Sequence, residues 1–356
     1  MSNKTCLVTG GAGFIGCAIS KQLADNFDRV VAMDNLHPQI HQKQERPDAL
    51  DPRVELRVAD VVDAGAWDNL LSNFTPHTVI HLAAETGTGQ SLTEASRHAS
   101  VNVLGTTRML DAFAKAKIVP QRFVLSSSRA IYGEGAWKDG SGHDHYPGQR
   151  SEAMLARGEW DFPGLTSQPF DAGTTKPSPT SVYGATKLAQ EHILSAWCLS
   201  FDAELNILRL QNVYGPGQSL SNPYTGIVPL FGRLAKGGKS IPLYEDGAML
   251  RDFVFIQDVA RAIVGASLCP THGKLVDIGS GQSLSIGDIA RIVTEIYSAP
   301  EPHVTGQYRN GDVRHAACTV SRAMQELDWV PTVDAATGIR RLCEWIDSRN
   351  TAAEQL

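Results

Sequence analysis

Two side chains in the stretch PSPTSVYGATKLAQEH, residues 177–192, have types and spacing suited to proton transfer. Tyr183 and Lys187 stand four apart, and Val182, Ala185, Leu188, Ala189, Ile193 and Leu194 recur with a period near 3.6. An amphipathic helix is expected, with both residues on one face. Ser178-Pro179 has the chemistry of its start. Gly184 costs such a helix about 1 kcal/mol against alanine, so close packing is expected there. A free phenol titrates near about 10, and bringing it to about 7 takes roughly 4 kcal/mol of preference for the phenolate. A lysine ammonium ~5 Å away contributes about 3 kcal/mol at an effective dielectric of ~20. A second positive charge, such as an oxidised nicotinamide ring, would supply the rest. The other reading is a half-buried tyrosine beside a snorkelling lysine. The two part company on whether the chain holds a nicotinamide site.

The N-terminal run TCLVTGGAGFIG supplies a candidate. A buried strand (Cys6 to Val8) turns at Gly10-Gly11 into a helix. Gly11, Gly13 and Gly16 fit G-x-G-x-x-G, and Gly10, Gly13 and Gly16 equally fit G-x-x-G-x-x-G. Such glycines let backbone N–H groups approach a pyrophosphate at a helix N-terminus. A second strand, DRVVAMDN, ends in Asp34, where an acid hydrogen-bonds the adenosine ribose. Asp34 also repels a 2′-phosphate and no arginine follows it, which favours NAD over NADP. Further strands follow at α/β intervals: RVELRVAD to Asp60, HTVIHLAAE to Ala84, RFVLSSS to Ser128, and LNILRLQNVYGP, with a helical stretch over 102–117. The alternation predicts an α/β Rossmann-type, doubly wound parallel sheet, whose ligands sit at the carboxyl ends of strands. Asp60, Ala83, Ser126 to Ser128, Gln211 and Asn212 all fall at such ends, and the tyrosine helix follows the serine-ended strand. Both facts favour the chemical reading of Tyr183.

Length and composition agree. The chain has 356 residues, 42% hydrophobic and 20% charged, an ordinary soluble composition, and a net charge of −6 argues against a broad nucleic-acid surface. Its 6 cysteines form no C-x-x-C pair and read as free thiols of a reducing compartment. MSNKTCLVTGG enters a strand without a signal sequence, and no 18-residue apolar run marks a membrane span. A cytoplasmic protein is expected.

TGGAGFIG, HLAA, NVLGT, SSSRAIYG, YGATK, NVYGP and RDFVFIQDVA, in order over residues 5–265, resemble the extended short-chain dehydrogenase/reductases, in their nucleotide-sugar epimerase/dehydratase branch. The resemblance implies a catalytic triad of Ser128, Tyr183 and Lys187. It also implies cofactor contacts from Phe14, Ile15, Asn35, Val61, Leu82, Ala84, Asn102, Ser126 and Gln211. Implied substrate contacts, besides Ser128, are Thr86, Asn212, Asn222, Tyr244, Arg251 and Arg309. The family's sugar 4,6-dehydratases carry an Asp-Glu pair just after the catalytic serine or threonine. Here those positions hold Arg129 and Ala130, which disfavours dehydration, though Glu85 or Glu134 remain as other acids. The simplest remaining cycle is epimerisation at C4. Tyr183 takes the 4-hydroxyl proton as hydride moves to NAD, the 4-keto sugar turns over, and hydride returns to its other face. YPGQRSEAMLARGEWDF, GQSLSNPYTGIVPLF and YEDGAMLRDFV resemble the subgroup of dTDP-L-rhamnose 4-epimerase-like proteins. That implies a dTDP-6-deoxyhexose, with conversion of dTDP-L-rhamnose to dTDP-6-deoxy-L-talose. A UDP-sugar 4-epimerase, a 4-ketosugar reductase, a dehydratase with another acid–base set, and a non-catalytic dinucleotide sensor are the alternatives.

The resemblance also divides the chain. Residues 1–185 are expected to form the NAD-binding part, with 205–215 and 250–265 returning to it, and 186–356 mainly the substrate part. About 50 residues separate Tyr132 from Tyr183, longer than common βα connections. The insert 134–177 reads equally as a lid or a surface excursion. Its H-x-H pair, His143 and His145, lacks the further ligands of a structural metal site. Helices near 100–117 and 182–199 could form the four-helix interface of a homodimer.

Overall fold

The computed structural model describes residues 4–220, 226–269 and 273–353. Seven short runs make one parallel sheet: β1 (Thr5–Thr9), β2 (Arg29–Asp34), β3 (Glu55–Val58), β4 (Thr78–His81), β5 (Arg122–Ser128), β6 (Glu204–Leu210) and β7 (Leu275–Ile278). Their order is 7-6-5-4-1-2-3, with every neighbouring pair parallel. The inner runs are mostly apolar rather than alternating because helices cover both faces of the sheet, whereas β3 at the edge is Glu-Leu-Arg-Val with its last two residues exposed. On one face α1 (Phe14–Asn26) and the helix Ile256–Leu268 bury Cys6, Val8, Ile80, Val124 and Val276. On the other, helices Ala64–Ser72, Gly105–Ala116 and Val182–Phe201 bury Leu7, Val31, Val79, Phe123 and Leu125. The order reverses between β1 and β4, which opens the crevice where such sheets bind ligands.

The tyrosine helix begins later than its sequence suggests. Its N-cap is Ser181, whose Oγ accepts from Gly184 N at 3.0 Å. Ser178 is instead tied to the turn after β5, its N–H donating to Ile131 O at 2.8 Å. A tertiary bond thus overrides a sound local cap. Gly184 has the expected reason: an added Cβ would lie 2.4 Å from Ala130 O.

This helix runs unbroken through residues 185 and 186, so a division drawn there cuts an element packed on β5 and β6. β7, from the part assigned to the substrate, also pairs with β6. Helices Ile227–Lys236, Ile286–Tyr297 and Ala335–Ala353 enclose the second core, around Phe231, Ile241, Phe253, Ile289, Ile339 and Leu342.

The insert is a packed element. Trp137–Lys138, Asp144–His145 and Thr166–Ser167 form a three-stranded antiparallel sheet. Arg150, its side chain 1% exposed, donates to both oxygens of Glu245 at 2.9 and 2.8 Å, and Arg314 pairs with Asp161. His143 and His145 both face Asp139, and among the described residues no three His, Cys, Asp or Glu gather as metal ligands would. Nor, among them, is any helix long and apolar enough to cross a membrane.

Candidate active site

The glycine turn between β1 and α1 is built for close approach. Gly10 has φ +67° and its N–H donates to Met33 O at 2.7 Å; a Cβ there would stand 2.8 Å from Ala83 N. A Cβ on Gly16 would meet Gly11 O at 2.4 Å, so α1 rests directly on the turn. Gly13 is the N-cap of α1 and offers no side chain to the first N–H groups, leaving them for an anion. Asp34, at the end of β2, accepts from Ala12 N and Leu36 N at 3.0 and 2.9 Å. Asn35 donates to Asp60 at 2.9 Å, joining the ends of β2 and β3. Arg46, in the loop after Asp34, spends its guanidinium on the carbonyls of Leu50, Asp51 and Val54 and stays off the ribose site.

Above these strand ends lies a cleft of about 700 Å³. Gly10, Gly13, Phe14, Ile15, Gly16, Asp34, Asn35, Asp60 and Val61 line one end; Leu82, Ala83, Ala84, Thr86, Ser126, Ser128, Tyr183, Lys187 and Gln211 line the rest. The residues fit NAD on a specific observation. Gln211 is buried at the cleft wall with neither its amide oxygen nor its nitrogen hydrogen-bonded, a donor and an acceptor awaiting a partner.

Asn102 is placed differently from expectation. It is fully buried behind the wall, accepting from Glu85 N at 2.8 Å and donating to Glu85 O and Thr186 Oγ1. It holds the loop after β4 to the tyrosine helix and does not line the cleft. The sequence missed His37, Gln39, Ile40, His41 and Pro47, which line the adenosine end from the β2–β3 loop, and Gln218 near Gly217. Nothing in that loop's composition marks it as a wall.

Ser128, Tyr183 and Lys187 are brought together where β5 meets the tyrosine helix. Ser128 and Tyr183 line the same stretch of the cleft, and Ser128 Oγ accepts from Ala130 N at 3.1 Å. Burial pushes the Tyr183 phenol above its ordinary value, while Ser128 and the Arg129 charge pull it down. Lys187 Nζ donates to Gln190 Oε1 at 2.5 Å, and Gln190 reaches Thr106 and His81 in turn. Burial pulls the lysine down to about 7, against the opposing pull of Glu191. Glu85 is ion-paired with Arg97 at 2.9 Å, and Glu134 accepts from Arg314 N at 3.0 Å. Glu85 lines the cleft, whereas Glu134 is outside its lining and burial pushes it up to about 7.

The expected substrate residues lie mostly beyond the lining of this cleft. Asn212 accepts from Arg129 Nε at 3.0 Å. Arg251 is buried and donates to the carbonyls of Leu250, Val313 and Arg314. Arg309 stacks on the Tyr244 ring at 4.8 Å, brought there by pairing of Glu245 N with Gln307 O. Asn222 lies outside the described residues.

Comparison with known proteins agrees with this site. The family model described as "NAD dependent epimerase/dehydratase family" matches residues 6–279. The chain is 61% identical over 348 residues to the dTDP-L-rhamnose 4-epimerase of Burkholderia thailandensis, covering 97% of this chain and 96% of that one. It is 29% identical to the UDP-glucose 4-epimerase of Mycolicibacterium smegmatis, covering 97% and 99%. Among solved structures it resembles the Thermus thermophilus UDP-glucose 4-epimerase in complex with NAD, with TM-score 0.76 and 26% identity over 96% of this chain and 99% of the other. The chain is therefore an enzyme with NAD as its cofactor and belongs to the NAD-dependent epimerase/dehydratase family.

Proposed function

We propose that the protein is a nucleotide-sugar 4-epimerase acting on a dTDP-6-deoxyhexose, converting dTDP-L-rhamnose to dTDP-6-deoxy-L-talose. The observation that carries this reading is the 61% identity, spread over 97% of the chain, to a dTDP-L-rhamnose 4-epimerase. The site is consistent with it. NAD, when bound, supplies a hydride acceptor that returns what it takes. Tyr183 accepts the proton of the sugar 4-hydroxyl, and Ser128 donates to the oxygen that gains charge. Lys187 stands one helical turn from Tyr183 and lends positive charge when protonated. Asn212, Asn222, Tyr244, Arg251 and Arg309 are assigned to the nucleotide sugar; an arginine fork matches a diphosphate in shape and charge. With Arg129 and Ala130 after Ser128, the acid–base pair that eliminates water is missing.

The same reading has the part beyond the tyrosine helix, apart from the strands it returns to the sheet, enclose the sugar. It also has the protein work as a cytoplasmic homodimer whose product feeds a surface polysaccharide. Incubation with a panel of dTDP- and UDP-sugars, with no added reductant and NMR readout at C4, tests the function. Inversion of dTDP-L-rhamnose without net NADH formation is expected. Turnover only with added NADPH, or only of UDP-sugars, would overturn it.

A further inference from the structure

Gln39, in the loop after β2, and Gln90, beyond the end of β4, pair their side-chain amides in both directions. Gln39 Nε2 donates to Gln90 Oε1 at 3.0 Å, and Gln90 Nε2 donates back to Gln39 Oε1 at 3.2 Å. Arg97, on the short helix Ala95–Ala99, completes the cluster. Its Nη2 donates to Gln39 Oε1 at 3.0 Å and to Glu85 Oε2 at 2.9 Å, and its Nη1 donates to Glu94 Oε2 at 2.8 Å. Glu94 also accepts from Gln90 Nε2 at 3.0 Å. The cycle above uses none of these five side chains, yet Gln39, Glu85 and Arg97 line the cleft. The sheet order places β1 between β2 and β4. A tie between the segments that leave those two strands therefore crosses the carboxyl end of β1, where the glycine turn lies.

We propose that Gln39, Gln90 and Arg97 form a clasp across the cofactor cleft, and that its opening controls the entry and release of NAD. This deepens the epimerase reading and rests on it. That cycle returns the hydride to the carbon that gave it, so NAD is regenerated in place, and a reduced cofactor lost in mid-cycle would strand the 4-keto sugar. Both walls joined by the clasp are themselves anchored. On one side Asn102 holds the backbone N–H and carbonyl of Glu85 and donates to Thr186 of the tyrosine helix at 2.9 Å. On the other, the loop after β2 is fixed to α1 at its far end, where Asp51 N donates to Ser20 Oγ at 3.0 Å and Arg53 pairs with Asp25 at 2.8 Å. Between those points Gln39 fastens the loop to the opposite wall. Opening the clasp exchanges side-chain hydrogen bonds for bonds to water and leaves the sheet and α1 untouched, so the loop can move without unfolding the domain.

The test is cofactor exchange in the NAD-loaded enzyme. Bound NAD is chased with excess deuterium-labelled NAD and read by mass spectrometry, which gives the release rate; the fraction still bound after serial dilution gives Kd. Gln39→Ala and Arg97→Met should each speed release by at least about tenfold, the scale of losing hydrogen bonds to a charged partner. Kd should weaken by much less, because an open clasp speeds uptake as well. The double variant Gln39→Ala/Arg97→Met should release NAD no faster than the faster single variant, since both cut the same tie. Release at the wild-type rate in Gln39→Ala would overturn the proposal. So would a Kd that weakens as much as release quickens, which would make Gln39 a plain cofactor contact, or a double variant whose effect is the product of the two. If Arg97→Met does not fold, Gln39→Ala, at a half-buried position of the loop, decides alone by its release rate and Kd. No sugar enters the measurement, so a wrong substrate assignment leaves the clasp standing, and unaltered exchange removes the clasp without touching that assignment.

Discussion

Lys187 carries a large electrostatic tension in the site. Its nitrogen is sealed off with Gln190 Oε1, and burial holds it near about 7 against an ordinary value of about 10.4. Below about 7 both folded and unfolded chains hold the proton, and the folded state bears the full cost of the buried charge. Between about 7 and 10.4 the unfolded chain holds a proton that the folded one has released, so this group's contribution to stability rises with pH across that window. Lys187→Met removes the slope. Melting temperatures of variant and wild type, compared across pH, should favour the variant most at pH 7 and converge toward pH 10. A pH-independent difference would mean that the ammonium is hydrated. The loss of the Gln190 hydrogen bond does not change with pH and cancels in the comparison. Tyr183→Phe removes only an oxygen. Turnover should fall by roughly 10²–10⁴, the usual worth of a positioned acid–base group, with NAD still bound. A drop below tenfold would take the proton from Tyr183 and give it to another group.

At the scale of elements, the insert is best described as a strut. Arg150 and Arg314 reach across to Glu245, and Arg314 also meets Asp161 and Asp246. Removing one partner of a buried pair leaves an uncompensated charge and costs about 3–5 kcal/mol. Arg150→Met should therefore lower the melting temperature by several degrees and make the segment 134–177 the first site of limited proteolysis. Glu245 keeps Arg314 at 3.0 Å in that variant, so it is under-compensated rather than orphaned; the double variant Arg150→Met/Glu245→Met should recover part of the loss, and no recovery would assign the loss to packing. This strut was illegible in the sequence. Arg150 and Glu245 are 95 positions apart, and Arg314 and Asp161 are 153, with no local pattern to join them. The glycine turn and Asp34 were legible because backbone conformation, close approach and strand end fall within one βα unit. Asn102 sits between these cases. Its motif marks a position near the cofactor, but only the packed structure shows both ends of its amide committed to Glu85 and Thr186. Ser178 shows the same limit at a helix start, where a bond to Ile131 moves the cap by three residues.

At the scale of the molecule, the described residues leave the outer face of the tyrosine helix uncovered. Ala185, His192, Ser195, Ala196 and Leu199 are exposed at helical spacing, and Leu199 is 86% exposed. On the neighbouring helix Gly105–Ala116, exposed Arg108, Asp111 and Lys115 form a similar strip, and Leu104 just before it is 42% exposed. Small and apolar side chains on one helix beside charges of both signs on the other suit self-association about a two-fold axis, where each helix meets its own copy or its neighbour's. The inward faces of the same two helices build the core under β4 and β5 and carry Tyr183 to the cleft. A dimer would thus brace the catalytic helix from outside without touching the site. Leu199→Glu places a charge near the C-terminal end of that face, at its most exposed apolar side chain. Sedimentation should show the wild type as a dimer and the variant as a monomer, with a lower melting temperature that no longer depends on protein concentration. NAD should still be bound, because the strip lies on the side of the helix away from the cleft. A wild type that sediments as a monomer at every concentration, or a variant that stays dimeric, would move the interface elsewhere or remove it.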